Sequence, residues 1–125
     1  KCTNYSTYMN STKKYSNLLE KLGMTDEERS IYIALLDHPY MTISELSRET
    51  GYHRPSVYRA IASLESEGYI EKSLLEGKRY YYHVTSPLRL QEKLDELTHI
   101  AMRLIPEMEA VHQKHHSAPV FSMME

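Results

Sequence analysis

The fold of this chain is decided by the stretch Gly51–Gly68, which reads GYHRPSVYRAIASLESEG. Four apolar residues in it recur at the spacing of a single helix face, namely Val57, Ala60, Ile61 and Leu64. The opposite face carries Arg54 and Arg59, and the residues from Tyr52 to Leu64 include no carboxylate. The pattern predicts an amphipathic helix over residues 54–67 with a cationic outer face.

Two capping boxes predict two shorter helices before this one. In Thr25-Asp-Glu-Glu28 and Thr42-Ile-Ser-Glu45, the threonine hydroxyl and the glutamate carboxylate can each accept the other residue's backbone N–H. The first helix is expected to end near Asp37, and Gly51 is expected to end the second. A short helix joined by a tight turn to a cationic helix indicates a helix-turn-helix. We therefore call residues 54–67 the recognition helix.

The pattern changes from helix to strand after the recognition helix. Tyr69–Leu75 and Lys78–Val84 are rich in β-branched and aromatic residues, and Glu76-Gly77 separates them. These two runs predict a β-hairpin, and a hairpin directly after a recognition helix is the wing of a winged helix. The expected fold class is mostly α with a small β-hairpin wing (α+β), followed by a long C-terminal helix.

Ser86-Pro87 is typical of a helix start and introduces that long helix. Its apolar residues alternate at four- and three-residue spacing, which is the heptad pattern of a coiled-coil seam. The seam comprises Leu90, Leu94, Leu97, Ala101, Leu104, Met108 and Val111. We expect the seam to form a homodimer that spaces two recognition helices roughly 34 Å apart.

A monomeric alternative for the seam is that it folds back onto the winged domain. The leucines Leu18, Leu19 and Leu22 would then help to cover it. Both apolar surfaces together exceed what one small domain can bury, which favours the dimer. The expected organisation is a flexible N-terminal segment (1–17), a winged helix-turn-helix domain (18–85), a coiled-coil-like dimerisation helix (86–116) and a tail (117–125).

Composition narrows the class of protein. The chain has 125 residues, a formal net charge of −2 and one cysteine, Cys2. A single cysteine forms no internal disulfide and no cysteine metal site. The sequence has neither a leader pattern nor an apolar run of roughly 18 residues, so we expect a cytoplasmic protein without membrane contact. The negative balance argues against a protein that coats nucleic acid indiscriminately.

The order of these motifs resembles the TrmB-type winged-helix transcriptional regulators, which occur mainly in archaea. The resemblance extends from Leu18 to about His112, and Arg59–Ile70 is also shared with MarR-like winged helices. It is carried by Thr42-Ile-Ser-Glu-Leu46, Val57-Tyr-Arg59, Glu67-Gly-Tyr-Ile70 and Gly77-Lys-Arg-Tyr80. The resemblance implies a DNA-binding transcriptional regulator.

Family members usually continue into an effector-binding domain. Residues 118–125 resemble the first strand of such a domain. The chain is therefore either a piece of a longer regulator or a relative without a sensor. A small-molecule effector is expected only in the first case.

Three parts of the winged domain are predicted to contact DNA: the second capped helix, the recognition helix and the wing. The predicted residues are Thr42, Ser44, Arg48, His53, Arg54, Pro55, Ser56, Tyr58, Arg59, Ser63, Lys78, Arg79 and Tyr81. Several have an ordinary structural interpretation: the arginines as solvated surface charges, and Thr42 and Ser44 as helix caps. Tyr58 could pack against the wing, and Lys78 and Arg79 could protect an edge strand. Their grouping around one helix-turn-helix favours contact with phosphates and base edges.

Two other chemistries compete with this interpretation. Tyr80, Tyr81 and Tyr82 would suit a base-stacking platform for single strands, but one side of a hairpin must cover the domain. His112 and His116 have helical i, i+4 spacing, yet no third ligand has a fixed place beside them, so no metal is predicted. No nucleophile–base pair or phosphate-binding loop occurs, so we expect a protein without enzymatic activity or a cofactor.

The sequence therefore predicts a sequence-specific regulator that binds double-stranded DNA as a homodimer. The recognition helix would lie in a major groove and the wing on the backbone or in a minor groove. The alternative is a winged-helix module that binds proteins instead of DNA. Arg54 and Arg59 favour DNA, whereas Glu71 and Glu76 in the wing favour the alternative.

Overall fold

The computed structural model of the chain describes residues 5–75, 77 and 79–124. Five helices and one antiparallel hairpin occur within these residues. Their order is α1 (Tyr5–Lys21), α2 (Asp26–Asp37), α3 (Ile43–Thr50), α4 (Arg54–Ser66), β1 (Ile70–Leu75), β2 (Arg79–Val84) and α5 (Leu88–Met124). The predicted fold class, mostly α with a β-hairpin wing and a long C-terminal helix, is confirmed. The chain forms two compact units, Lys1–Arg89 and Leu90–Glu125, which we call the winged unit and the C-terminal unit.

Both predicted capping boxes are present. The Thr25 hydroxyl accepts the Glu28 N–H at 3.2 Å, and the Glu28 carboxylate accepts the Thr25 N–H at 3.0 Å. The corresponding distances for Thr42 and Glu45 are 3.2 Å and 2.9 Å. These bonds satisfy N–H groups that the first helical turn leaves unpaired, so α2 and α3 begin at defined residues.

A tight turn joins α3 to the recognition helix α4. Gly51 has φ of 85°, which is the left-handed conformation expected of a C-terminal glycine. The Ser47 hydroxyl donates to the Tyr52 carbonyl at 2.6 Å across the turn. The hydrophobic face of α4 then packs inward, with Val57 fully buried and Leu64 nearly so. The turn and this packing together fix the direction in which the recognition helix leaves α3.

The core of the winged unit joins all its elements. Its buried side chains are Leu19, Met24, Ile31, Tyr32, Ile33, Ala34, Leu35, Met41, Leu46, Val57, Ala60, Ile61, Leu64, Tyr69, Ile70 and Tyr82. No charged side chain is buried among the described residues. The apolar faces predicted for the helices therefore form the core.

The hairpin has a third, short partner. The backbone of Met41 and that of Tyr82 exchange hydrogen bonds of 3.2 Å and 2.9 Å. Tyr40, just before this bridge, has φ of 67°, which is uncommon for a residue other than glycine. The bridge ties the loop between α2 and α3 to the wing, and sequence patterns gave no sign of it.

The end of α4 is anchored to the segment that follows β2. The Thr85 hydroxyl donates to the Gly68 carbonyl at 2.9 Å, and Arg89 Nε donates to the Glu67 carbonyl at 2.9 Å. Gly68 has φ of 83°, and a Cβ there would lie 3.2 Å from Arg89 Nε. Two carbonyls that end the helix are thus satisfied by side chains instead of water.

The structure differs from the sequence-based expectation at both ends. Residues 5–17, expected to be flexible, form most of α1, because no glycine or proline interrupts the chain before Gly23. Residues 117–124, expected to form a tail that begins a strand, continue α5 instead. A strand needs a neighbour for its backbone hydrogen bonds, whereas a helix satisfies its own. Among the described helices, none is both long and apolar enough to cross a membrane.

The buried Tyr32 yields a prediction about alkaline stability. Its hydroxyl has no hydrogen-bond partner among the described residues, and its ring meets that of Tyr69 edge-on at 6.3 Å. Burial and, secondarily, Tyr69 raise the pKa of Tyr32 to about 12. Between pH 10 and 12 the unfolded chain ionises here and the folded protein does not, so stability falls as the pH rises. The total loss from this group is about 3 kcal/mol.

Tyr32→Phe is expected to fold and to lose less stability than wild type across this pH window. It should cost little at neutral pH, because the hydroxyl that it removes is unsatisfied. Urea unfolding at pH 8 and pH 11 measures both effects, with the exposed Tyr15→Phe as control. An equally steep alkaline loss in Tyr32→Phe and wild type would contradict the prediction.

Candidate nucleic-acid interface

The recognition helix α4 exposes the residues that were predicted to meet DNA. Arg54, Pro55 and Arg59 are exposed, as is His53 at the N-cap position, and Tyr58 retains 55% of its accessible surface. At about 100° per residue, Arg54 and Tyr58 lie on one edge of the outer face. Ser56, Arg59 and Ser63 lie on the other edge. The outer face of α4 thus has two cationic edges.

The first edge is joined to α3. Arg54 Nη2 donates to the Ser44 hydroxyl at 2.6 Å, so a side-chain hydrogen bond joins the N-terminal ends of α3 and α4. A hydroxyl that accepts one bond can still donate its own proton to a phosphate oxygen. Thr42 is half-buried and its hydroxyl already accepts the Glu45 N–H, while Arg48 is exposed. Of the three residues predicted in this region, Ser44 is the one joined to the recognition helix.

The second edge faces acidic residues. Arg59 Nη2 donates to the Ser56 hydroxyl one turn earlier, at 3.2 Å. Arg59 and Ser56 line a surface depression of about 270 Å³ together with Glu27 and Glu28 at the start of α2. A guanidinium carries several N–H donors, so Arg59 can bind Ser56 and a ligand at the same time. The carboxylates also repel phosphates, so this edge suits base contacts better than backbone contacts.

The hairpin places its side chains on two faces. Its register pairs Lys72 with Tyr82, Ser73 with Tyr81 and Leu75 with Arg79. Since side chains alternate along a strand, Arg79 and Tyr81 share one face, which we call the outer face of the wing. Tyr80 and Tyr82 share the other, the inner face. Lys78 lies outside the described residues.

The inner face packs against α4. Tyr82 is buried, and burial raises the pKa of its phenol, followed by the nearby charges of Glu65, Tyr58 and Tyr80. The hairpin starts where α4 ends, because the Tyr69 N–H donates to the Leu64 carbonyl at 2.9 Å. A stacking platform of three exposed tyrosines is not formed, because Tyr82 belongs to the core.

Two residues on the inner face of the wing were not among the predicted DNA contacts. Lys72 is exposed, and its Nζ lies 4.5 Å from the centre of the Tyr80 ring. Tyr80 keeps 50% of its surface accessible. The strand register would have revealed them, because pairing about Gly77 places Lys72 on the same face as Tyr80 and Tyr82.

The histidines form no metal site among the described residues. The rings of His112 and His116 stack at 4.1 Å, and His116 Nδ1 lies 3.1 Å from the His112 carbonyl oxygen, as i, i+4 neighbours on a helix. In the wing, His83 lies 3.2 Å from the Ser73 hydroxyl and its ring is 5.1 Å from that of Tyr40. These contacts join the outer face to the loop before α3.

Comparison with known proteins agrees with this fold. The family described as sugar-specific transcriptional regulator TrmB matches residues 19–88. Comparison with curated proteins gave no match. The solved structure of TrmBL2, described as an archaeal chromatin protein that shows a novel mode of DNA binding, covers 89% of this chain with a TM-score of 0.71 and 19% identity. This chain spans 45% of TrmBL2.

Two further structures show the same fold at low identity. A possible transcriptional regulator from Methanosarcina mazei Go1 has a TM-score of 0.60 and 18% identity, over 82% of this chain and 87% of that one. MepR, a transcription regulator of the Staphylococcus aureus multidrug efflux pump MepA, has a TM-score of 0.54 and 16% identity, over 98% and 100%. Because the TrmB match covers more than half of the sequence and its winged helix is present, the chain belongs to the TrmB family of transcriptional regulators.

Proposed function

We propose that this protein regulates transcription by binding specific sites in double-stranded DNA as a homodimer. The observation that carries the proposal is the exposed face of α4, which presents Arg54, Tyr58 and Arg59 without a carboxylate between Tyr52 and Leu64. A helix with this surface fits the major groove, where base edges differ and phosphates flank both sides. TrmBL2, which has a similar fold, is described as a protein that binds DNA, and this likeness supports the DNA-binding part of the proposal.

The two edges of α4 take different parts in this proposal. Arg54 and Ser44 hold each other where α3 meets α4, so both can reach the same phosphate and set the register of the helix. Arg59 can donate two parallel bonds to a guanine edge, with Ser56 holding its guanidinium in place. His53, Pro55 and Ser63 extend the contact along the groove.

The outer face of the wing and its tip supply a second contact. Arg79 is exposed next to the turn, Tyr81 is half-buried on the same face, and Lys78 completes the predicted set. These groups would lie along the backbone or in a minor groove beside the major groove that takes α4. Thr42 and Arg48 would meet the backbone from α3.

A protein-binding module is the competing function. The exposed Glu71 in the wing and the carboxylates beside Arg59 favour it, because acidic groups near the interface repel phosphates. The same acidic groups are also compatible with a DNA binder that rejects non-specific sites. Salt dependence separates the two functions.

Affinity for duplex DNA is expected to fall steeply with salt, since each neutralised phosphate releases counterions. Six to ten phosphate contacts in a dimer would lower the affinity by about 10³- to 10⁵-fold between 50 and 200 mM salt. Fluorescence anisotropy on pooled genomic fragments, followed by sequencing of the bound fraction, measures both affinity and site preference. Absence of binding at low salt, or binding indifferent to salt, would refute the proposal.

Arg59→Ala is expected to cost about 1–3 kcal/mol at a cognate site and little on random DNA, because a base contact is lost. Arg59→Lys keeps the charge but cannot donate two parallel hydrogen bonds to a guanine edge. It should therefore retain the salt dependence while losing most of the site preference. Equal losses on cognate and random DNA would assign Arg59 to the backbone instead.

A further inference from the structure

The inner face of the wing changes from buried to exposed along its length. Near the base of the hairpin, Ile70 and Tyr82 are buried in the core. Closer to the turn, Leu74 and Tyr80 keep 58% and 50% of their surface, and Lys72 is also exposed. The half of the inner face nearer the turn therefore has no covering element among the described residues.

This exposed half belongs to a hairpin that starts where the recognition helix ends, because the Tyr69 N–H donates to the Leu64 carbonyl at 2.9 Å. The buried Tyr82 shares the inner face with Lys72 and Tyr80. Tyr58, the aromatic residue of α4, is exposed. A duplex that receives α4 would thus have the hairpin that carries Tyr80 and Lys72 beside it.

Lys72 is held in place without losing its charge. Its ammonium lies 4.5 Å from the centre of the Tyr80 ring, and no carboxylate of the described residues pairs with it. A cation over a ring face keeps its net charge and leaves most of its N–H donors available. The ring restricts the lysine side chain, so less conformational entropy is lost when the ammonium binds an anion.

We propose that Lys72 and Tyr80 form a further DNA contact, on the inner face of the wing. Lys72 binds a backbone phosphate at the edge of the groove that receives α4, and Tyr80 orients Lys72 while its exposed ring packs against the adjoining sugar. The inference rests on the proposed DNA-binding function and deepens it, because it assigns the inner face of the wing to the same duplex. DNA would then be clasped between Arg54 on α4 and Lys72 on β1.

The test measures binding to a cognate duplex between 50 and 200 mM salt. Lys72→Ala should bind about five- to tenfold more weakly at 100 mM salt, and the log–log salt slope should fall by about 1 for each protomer bound. Lys114→Ala removes the same charge from an exposed position on α5 and should match wild type. Lys72→Arg should restore the slope, and Lys72→Glu should weaken binding further.

Substitutions at Tyr80 test the role of the ring. Tyr80→Phe keeps the ring face and should bind like wild type, whereas Tyr80→Leu should lose about two- to fivefold. Tyr15→Leu, on the exposed side of α1, is the matched control. Thermal unfolding of every variant confirms that the fold is intact, and a loss of binding that follows a loss of fold would overturn the assignment.

The outcomes separate this inference from the proposed function. If wild type binds DNA and Lys72→Ala has the same affinity and slope as Lys114→Ala, the inner-face contact is refuted while DNA binding stands. If wild type binds no duplex at low salt, both are refuted. A loss in Tyr80→Phe as large as that in Tyr80→Leu would show that the hydroxyl, and not the ring over Lys72, is what matters.

Discussion

Leu46→Asp is expected to unfold the winged unit at room temperature. Leu46 is fully buried and is the buried residue of α3, the helix that packs against α2 and α4. Its removal alone costs about 2–5 kcal/mol, and a carboxylate in its place adds several more because no partner surrounds it. The free energy of unfolding of a small domain is about 5–15 kcal/mol, so one such substitution removes most of that stability. Ile61→Asp on the facing side of α4 should have the same result.

Two matched variants separate burial from the mere introduction of a charge. Ser44→Asp lies on the exposed side of α3, and Ala62→Asp follows Ile61 on the exposed side of α4. Both should keep a cooperative thermal transition within a few degrees of wild type, because surface substitutions change stability by about 0.5 kcal/mol. Circular dichroism measures the helix content and the transition. A folded, cooperatively melting Leu46→Asp or Ile61→Asp variant would show that the core is assigned wrongly.

The sequence was informative where local rules act alone. Capping boxes at Thr25 and Thr42 needed only two residues three positions apart, and the structure contains both pairs of hydrogen bonds. The left-handed turn at Gly51 and the buried positions of α4 followed from spacing in the same way. The boundaries of the recognition helix, predicted as 54–67, differ from Arg54–Ser66 by one residue.

Local rules did not predict the features that depend on contacts between residues far apart in the sequence. The bridge between Met41 and Tyr82 joins positions 41 residues apart, and no periodicity marks it. The pair Lys72–Tyr80 arises from strand register, which the sequence leaves open until the turn is placed. The helical conformation of residues 5–17 was missed because their polar composition hid a segment without helix breakers. Each wrong or missing prediction concerns contact partners or the ends of the chain. From α2 to β2, every element has the predicted type, helix or strand.

The C-terminal unit presents the apolar stripe on which the proposed dimer depends. Within it, Leu97 and Leu104 retain 44% and 40% of their surface, and Met108 and Val111 retain 63% and 55%. Ile100 and Ile105 flank the seam on either side and are exposed by 43% and 55%. A contiguous apolar surface of this length on a transcriptional regulator is typical of a subunit interface.

The double variant Leu97→Glu with Leu104→Glu is expected to convert the proposed dimer into a folded monomer. Each leucine contributes about 1.5 kcal/mol when its exposed surface is buried, and a twofold dimer buries four of them. The lost contacts alone raise the dissociation constant by about 10⁴-fold, before the cost of burying four carboxylates.

Met102→Glu is the control, because Met102 is 70% exposed on α5 but lies outside the seam. Sedimentation at micromolar concentration should show a dimer for wild type and Met102→Glu and a monomer for the double variant, with an unchanged thermal transition of the winged unit. Operator binding should weaken by at least a hundredfold in the monomer, because two half-sites are no longer linked. A wild-type protein that sediments as a monomer at high concentration, or a double variant that remains dimeric, would show that the seam does not form the interface.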